Sequence, residues 1–234
     1  MKHKISVLIL LCLQAGCAVE LKDKPKDEPK VQTAAVPDYV IDGPVKLTQH
    51  LKVEADRVVL TENAVITTED KTLTIITKEL VTEGAMIRNF PSGAKAYFAM
   101  NGRTGGAVII SARKARGTLD VQLNGEGGGH GKNGYLSEGG HGGCPTDGAN
   151  GGNPGSLNLE VVDNNSFNIN WTNTVGEAGE AGVKGAANDS TPRDQIGPGG
   201  CSRDRADSVP GLPGQFKGQV CLKLGNAEAF RCQE

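Results

Sequence analysis

Glycine falls at every third position through Gly125, Gly128, Gly131 and Gly134, and the same phase returns at Gly176, Gly179, Gly182 and Gly185. Shorter echoes stand at Gly148/Gly151, Gly152/Gly155, Gly197/Gly200 and Gly211/Gly214. A left-handed extended helix of the polyproline II type has three residues per turn, rises about 3.1 Å per residue and has no internal hydrogen bonds. Glycine once per turn leaves one bare face, and a second such strand can approach it until backbone N–H and C=O groups pair between strands. The phase therefore predicts a packed bundle of polyglycine II strands in two inserts, 125–155 and 176–218. Collagen shares the period, but Asn, Asp or Thr interrupts each run after about four triplets, too few for a triple helix. Flexible loops are the competing reading, since glycine-rich polar tracts are commonly mobile.

The rest of the body must supply the core from small means. The chain has 33 glycines and 4% aromatic residues, so few large side chains are present to bury. From Tyr39 onward, short runs rich in Val, Ile, Leu and Thr alternate apolar and polar residues, with polar turns such as TEN and TEDK between them. A repeat follows: Gly105–Leu123, Gly155–Trp171 and a weaker copy, Gly218–Cys232, each read as strand, polar turn, strand. Val108, Ile110 and Ala112 correspond to Leu157, Leu159 and Val161; Leu119, Val121 and Leu123 correspond to Phe167, Ile169 and Trp171. The glycine inserts lie between the copies. The expected fold is all-β, a β-solenoid or set of parallel β-helix-like repeats carrying polyglycine II inserts, over residues 39–234.

Residues 1–17 read as an export signal: Lys2, His3 and Lys4, then the apolar run Ile5–Leu13, too short for the roughly 20 residues of a membrane span. Gln14-Ala15-Gly16-Cys17 resembles the lipobox of bacterial lipoproteins, with Gln14 where that family usually has Leu. The resemblance implies cleavage before Cys17, lipidation of Cys17 and attachment to a membrane through that lipid. Ordinary cleavage after Ala18 is the alternative. Residues 18–38, rich in Lys, Asp, Glu and Pro, read as a flexible charged tether. Ala18 after a lipidated cysteine resembles residues that permit sorting to the outer membrane, so the expected location is the envelope, otherwise the medium. Cys144, Cys201, Cys221 and Cys232 are even in number in an oxidising compartment. Cys221–Cys232 across the turn LGNAE and Cys144–Cys201 between inserts are the favoured disulfides. His130, His141 and Cys144 match no zinc spacing, and no metal or cofactor is expected.

Gly129-His130-Gly131-Lys132-Asn133-Gly134 is a literal G-x-G-x-x-G, but more glycine follows where a dinucleotide fold needs a helix. A net charge of −2 supplies no field for nucleic acid. The body from about Gly105 to Glu234 resembles, in texture and periodicity, bacterial surface proteins and phage tail adhesins with polyglycine II segments. That resemblance implies an exposed structural or adhesive role, with a glycan or another surface protein as partner. Tyr135, an aromatic residue within an insert, is the candidate ligand contact. The alternative is a polysaccharide lyase or hydrolase on a β-helix, which needs clustered carboxylates; Asp120, Asp204 and Asp207 form no evident cluster, and no catalytic residue is assigned.

Overall fold

The computed structural model describes residues 38–136, 142–183, 208–225, 227 and 229–233. The chain divides into two units, Met1–Ala34 and Ala35–Glu234, and every described residue lies in the second. The signal, Cys17, most of the tether, His141 and Cys201 lie outside the described residues.

Alternating Val, Ile and Leu build an all-β unit without helix among the described residues. Its strands are β1 (Tyr39–Ile41), β2 (Pro44–Lys46), β3 (Leu51–Leu60), β4 (Val65–Thr67), β5 (Leu73–Arg88), β6 (Ala107–Gln122), β7 (Tyr135–Leu136), β8 (Gly142–Gly143), β9 (Ser156–Thr172), β10 (Val220–Leu224) and β11 (Arg231–Gln233). Nine of them form one sheet in the order β1-β3-β5-β6-β9-β10-β11, with β4 joining β2 to β5. Every pairing in it is parallel except β10–β11. Leu51 lies beside Leu73, Leu73 beside Val108, Val108 beside Leu157 and Leu157 beside Val220. Val53, Ile75, Ile110, Leu159 and Leu222 make a second such column, and Ile66, Ile87, Val121 and Trp171 a third. The stacked side chains form one hydrophobic cluster, closed mostly by aliphatic residues. Each fully buried Leu, Ile or Val contributes about 1.5–3 kcal/mol relative to exposure, so repetition replaces the missing aromatics.

Two expectations change in detail. The polar stretch Arg113–Thr118 is not a turn: β6 runs through it as one 16-residue strand, and β9 likewise runs unbroken for 17. Parallel neighbours on both sides hold the backbone of β6, and its polar side chains face outward. Gly117 is needed within it, because φ is +92° and a Cβ there would collide with the Thr82 carbonyl. The second difference is register. Leu119 pairs with Ile169 and Val121 with Trp171, while Phe167 faces Gly117, because the β6–β9 ladder shifts between Lys114 and Arg116. Asp120 therefore lies beside Asn170 and accepts a hydrogen bond from its Nδ2 at 2.8 Å.

The hairpin expected at the end of the chain is present. β10 and β11 pair antiparallel, Gly225 turns with φ +66°, and Cys221 stands opposite Cys232, to which it is disulfide-bonded. Cys144 is also disulfide-bonded; Cys201, the partner expected for it, lies outside the described residues.

Between its parallel strands the chain leaves the sheet and returns. The offset between paired residues in the first column is 22 from β3 to β5 and then 35, 49 and 63, so the excursions after β5, β6 and β9 lengthen in turn. The described parts comprise outward runs 94–99, 123–134 and 174–183 and return runs 100–106, 146–155 and 208–218. The first excursion, after β5, was not among the expected inserts.

Candidate functional site

The six runs bond to one another sideways with a three-residue repeat. Gly125, Gly128, Gly131 and Gly134 donate their N–H groups to the carbonyls of Thr174, Glu177, Glu180 and Val183. Gly176, Gly179 and Gly182 donate in turn to Gly152, Ala149 and Thr146, and Gly155, Gly152, Ala149 and Thr146 donate back to Leu123, Glu126, Gly129 and Lys132. Three runs thus close a cycle of donors. Adjacent cycles share sides: Gly148 and Gly151 donate to Val209 and Leu212, and Gly211 and Gly214 donate to Gly179 and Gly176. On the other flank, Glu126 and Gly129 donate to Arg103 and Met100, while Gly102 and Gly105 donate to Asn150 and Asn153. A Cβ at Gly128, Gly148, Gly151 or Gly179 would fall on a neighbouring carbonyl oxygen. Glycine is required there by proximity, as the phase predicts.

Asparagine meets a second set of donors. Asp147, Asn150 and Asn153, three residues apart, accept through Oδ1 from the N–H groups of Val209, Leu212 and Gln215 at 2.8–2.9 Å. Asn101 does the same for Asn150 at 3.0 Å, and Asn133 for Val183 at 2.9 Å. In the row of return runs, Gly148 and Gly151 donate onward to 208–218. The equivalent positions of 208–218 hold Pro210 and Pro213, which have no N–H to donate. That row ends without an orphaned donor.

Where the bundle meets the sheet, charge is concentrated. Arg103 reaches Glu126 through Nε–Oε2 at 2.8 Å and Nη2–Oε1 at 2.9 Å, and Glu69 through Nη1 at 2.8 Å. Lys46 pairs with Glu69 at 2.7 Å, and the Arg103 guanidinium lies 5.0 Å from the centre of the Phe90 ring. Hydrogen bonds from Arg103 hold the Glu126 carboxyl below its ordinary range against the cost of burial. Burial of Glu69 opposes its charge, but Lys46 and Arg103 outweigh it and lower the pKa. Arg103 is raised, first by Glu126. These groups fasten the first two excursions to the turn before β5; neither carboxylate is left without a cation.

A different arrangement occupies the far end of the first excursion. Met100 N–H bonds to the Tyr97 carbonyl at 3.0 Å, closing a tight turn in which Ala99 has φ +56°. A non-glycine residue there stores backbone strain of order 1 kcal/mol. The turn presents Tyr97, Phe98 and Met100, which are 75%, 50% and 59% exposed, with the two rings edge to face at 5.4 Å. Beside Phe98 runs a shallow groove lined by His130, Lys132, Asn133, Glu180 and Val183. His130 Nδ1 is 3.6 Å from a Glu180 oxygen.

The expected residues fare unequally. Tyr135 pairs with Gly143 through the backbone, and its side chain lies outside the described residues. Trp171 packs against the core. No group of three or more His, Cys, Asp or Glu able to hold a metal occurs among the described residues. Tyr97 and Phe98 carried no sequence signal beyond being two adjacent aromatics in a chain with few. Comparison with protein-family models, curated proteins and solved structures finds no match to this chain.

Proposed function

We propose that this is a non-catalytic module of the cell envelope, tethered by a lipid on Cys17, that presents a rigid surface to a glycan. The parallel sheet is read as a β-solenoid and the six hydrogen-bonded runs as a polyglycine II bundle mounted on its turns. The Tyr97–Phe98 turn carries the reading. Two adjacent rings are held out in solvent by a strained backbone, beside a groove of Lys, Asn, Glu and His side chains. Aromatic faces supply apolar area to a sugar ring, and the polar groups supply donors and acceptors to its hydroxyls. A rigid bundle beneath lowers the ordering cost of binding. The competing reading, a polysaccharide lyase or hydrolase, needs free carboxylates facing a cleft; Glu69 and Glu126 are both engaged by Arg103.

The test is titration calorimetry of the oxidised protein against a panel of envelope oligosaccharides: peptidoglycan fragments, lipopolysaccharide cores and capsular repeats. Binding that falls tenfold or more in Tyr97→Ala/Phe98→Ala supports the reading. Absence of binding across the panel, or binding indifferent to both rings, overturns the glycan assignment. Mass spectrometry of the N-terminus separately tests lipidation of Cys17.

A further inference from the structure

The bundle closes its two rows differently. Return runs end on Pro210 and Pro213. Outward runs do not: Gly125, Gly128 and Gly131 of 123–134 donate to 174–183, and the equivalent residues of 174–183 are Val175, Ala178 and Ala181. Their N–H groups have no acceptor among the described residues, and neither do those of Thr174, Glu177 and Glu180, whereas the glycine that follows each of the three, Gly176, Gly179 or Gly182, donates to 146–155. Across from them, the carbonyls of Ser208, Gly211 and Gly214 accept from no described donor. In the previous cycle the corresponding carbonyls, Thr146, Ala149 and Gly152, accept from Gly182, Gly179 and Gly176.

From this we infer that the groove between 174–183 and 208–218 is a docking site for one more extended strand, supplied by a partner polypeptide with glycine at every third residue. Each cycle in the bundle runs in one sense, from run to run and back. The last one has a single side in place, Gly211 and Gly214 donating to 174–183, and lacks its third run. A strand parallel to 174–183 would accept from Val175, Ala178 and Ala181 and donate to Ser208, Gly211 and Gly214. The unmet groups recur every three residues, about 9.3 Å along such a strand, which is the spacing of the strands already bonded. An ordinary β-strand has period two and cannot stay in phase with them. Glycine is required on its inner face for the reason it is required at Gly176, Gly179 and Gly182, which make the corresponding bonds in the previous cycle and where a Cβ would fall on a carbonyl of 123–134. The partner thus adds to an exposed edge through its backbone, as strands add to the edge of a sheet. Ala181 also lines the groove beside Phe98, but Val175 and Ala178 do not, so a substitution at Ala178 and one at Tyr97 or Phe98 test the two proposals separately.

The experiment uses the oxidised full-length protein and a synthetic peptide with the sequence Gly125–Gly134. A second peptide of the same composition has the glycine phase scrambled. Calorimetry is expected to show binding of the phased peptide, at least tenfold stronger than the scrambled one. Ala178→Pro removes the central donor in the manner of Pro210 and Pro213 and fits the extended backbone; it should weaken binding tenfold or more. Amide exchange on the unsubstituted protein is the second measurement: the phased peptide should slow exchange at Val175, Ala178 and Ala181 and leave Gly176 and Gly179 unchanged. Equal affinity for both peptides, no binding, or no protection at those three amides overturns the proposal.

Discussion

Arg103 grips Glu126 with both prongs of its guanidinium while its own backbone N–H bonds the same carboxylate at 3.0 Å. The Glu126 side chain is nearly buried and that of Arg103 is about half exposed, so loss of the arginine strands a carboxylate in a poor solvent. Arg103→Ala is expected to destabilise by about 2 kcal/mol, and Arg103→Lys to recover only part, since lysine keeps the charge but not the fork. Glu126 and Glu69 both have lowered native pKa values. Stability from a depressed carboxylate is present above the unfolded value of about 4.3 and is lost as pH falls through the native value. Melting temperature followed from pH 6 to pH 2 should therefore drop below about pH 4.3, and less steeply in Glu126→Gln.

A single methyl group tests the close approach of the runs. At Gly179 a Cβ would meet the carbonyl of Gly129 and the N–H of Ala149, both backbone and both held by other bonds. Neither can turn away as a side chain would. Gly179→Ala is expected to cost about 3 kcal/mol or to melt the bundle locally, whereas Glu177→Ala, on an exposed neighbour, should stay within about 0.5 kcal/mol. Urea unfolding of the two variants, with exchange rates at Gly128 and Gly131, separates global from local loss.

Much of this architecture is legible from residue spacing alone, because period two and period three are both written directly in side-chain identity. Gly125 to Gly134 and Gly176 to Gly182 could be read as laterally packed runs since each glycine sits where a neighbour must come close. The first excursion was not legible. It brings only Gly102 and Gly105 into phase, and Arg103 and Asn101 make contacts through side chains that no period records. The stretch Arg113–Thr118 reads as a turn because a charged break between two apolar alternations looks the same in a hairpin and in a long parallel strand; only neighbours on both sides decide. Tyr97 and Phe98 are hidden for the opposite reason. An aromatic pair in an aromatic-poor chain is expected to be buried, and its exposure follows from a left-handed Ala99, which sequence does not announce.

The asparagine series on 146–155 should be separable from the glycines. Asn150 Oδ1 accepts the N–H of Leu212 at 2.8 Å, and Asn150→Ala leaves that donor without its partner, a loss of about 1 kcal/mol. Asn150→Asp retains an acceptor oxygen, as Asp147 shows for Val209, and is expected to be nearly silent. Exchange at Leu212 should quicken in the alanine variant alone, while Gly211, which bonds to Gly179, keeps its protection.

The Cys221–Cys232 disulfide ties β11 to β10, and β10 is the last parallel strand on β9. Only three residue pairs join β10 to β11, and β11 is exposed throughout, so little but the crosslink holds it. The two cysteines are 11 residues apart, and a closed loop of that size limits the unfolded chain by roughly 2–3 kcal/mol. In Cys221→Ser/Cys232→Ser, β11 should fray first, exposing Leu222 and Leu224 at the end of the hydrophobic columns. Exchange is expected to accelerate over 220–233 and to remain slow at Ile75, Ile110 and Leu159, which are buried in the middle of the sheet. If protection falls equally in all three strands, the hairpin is integral to the fold rather than a clasp at its end.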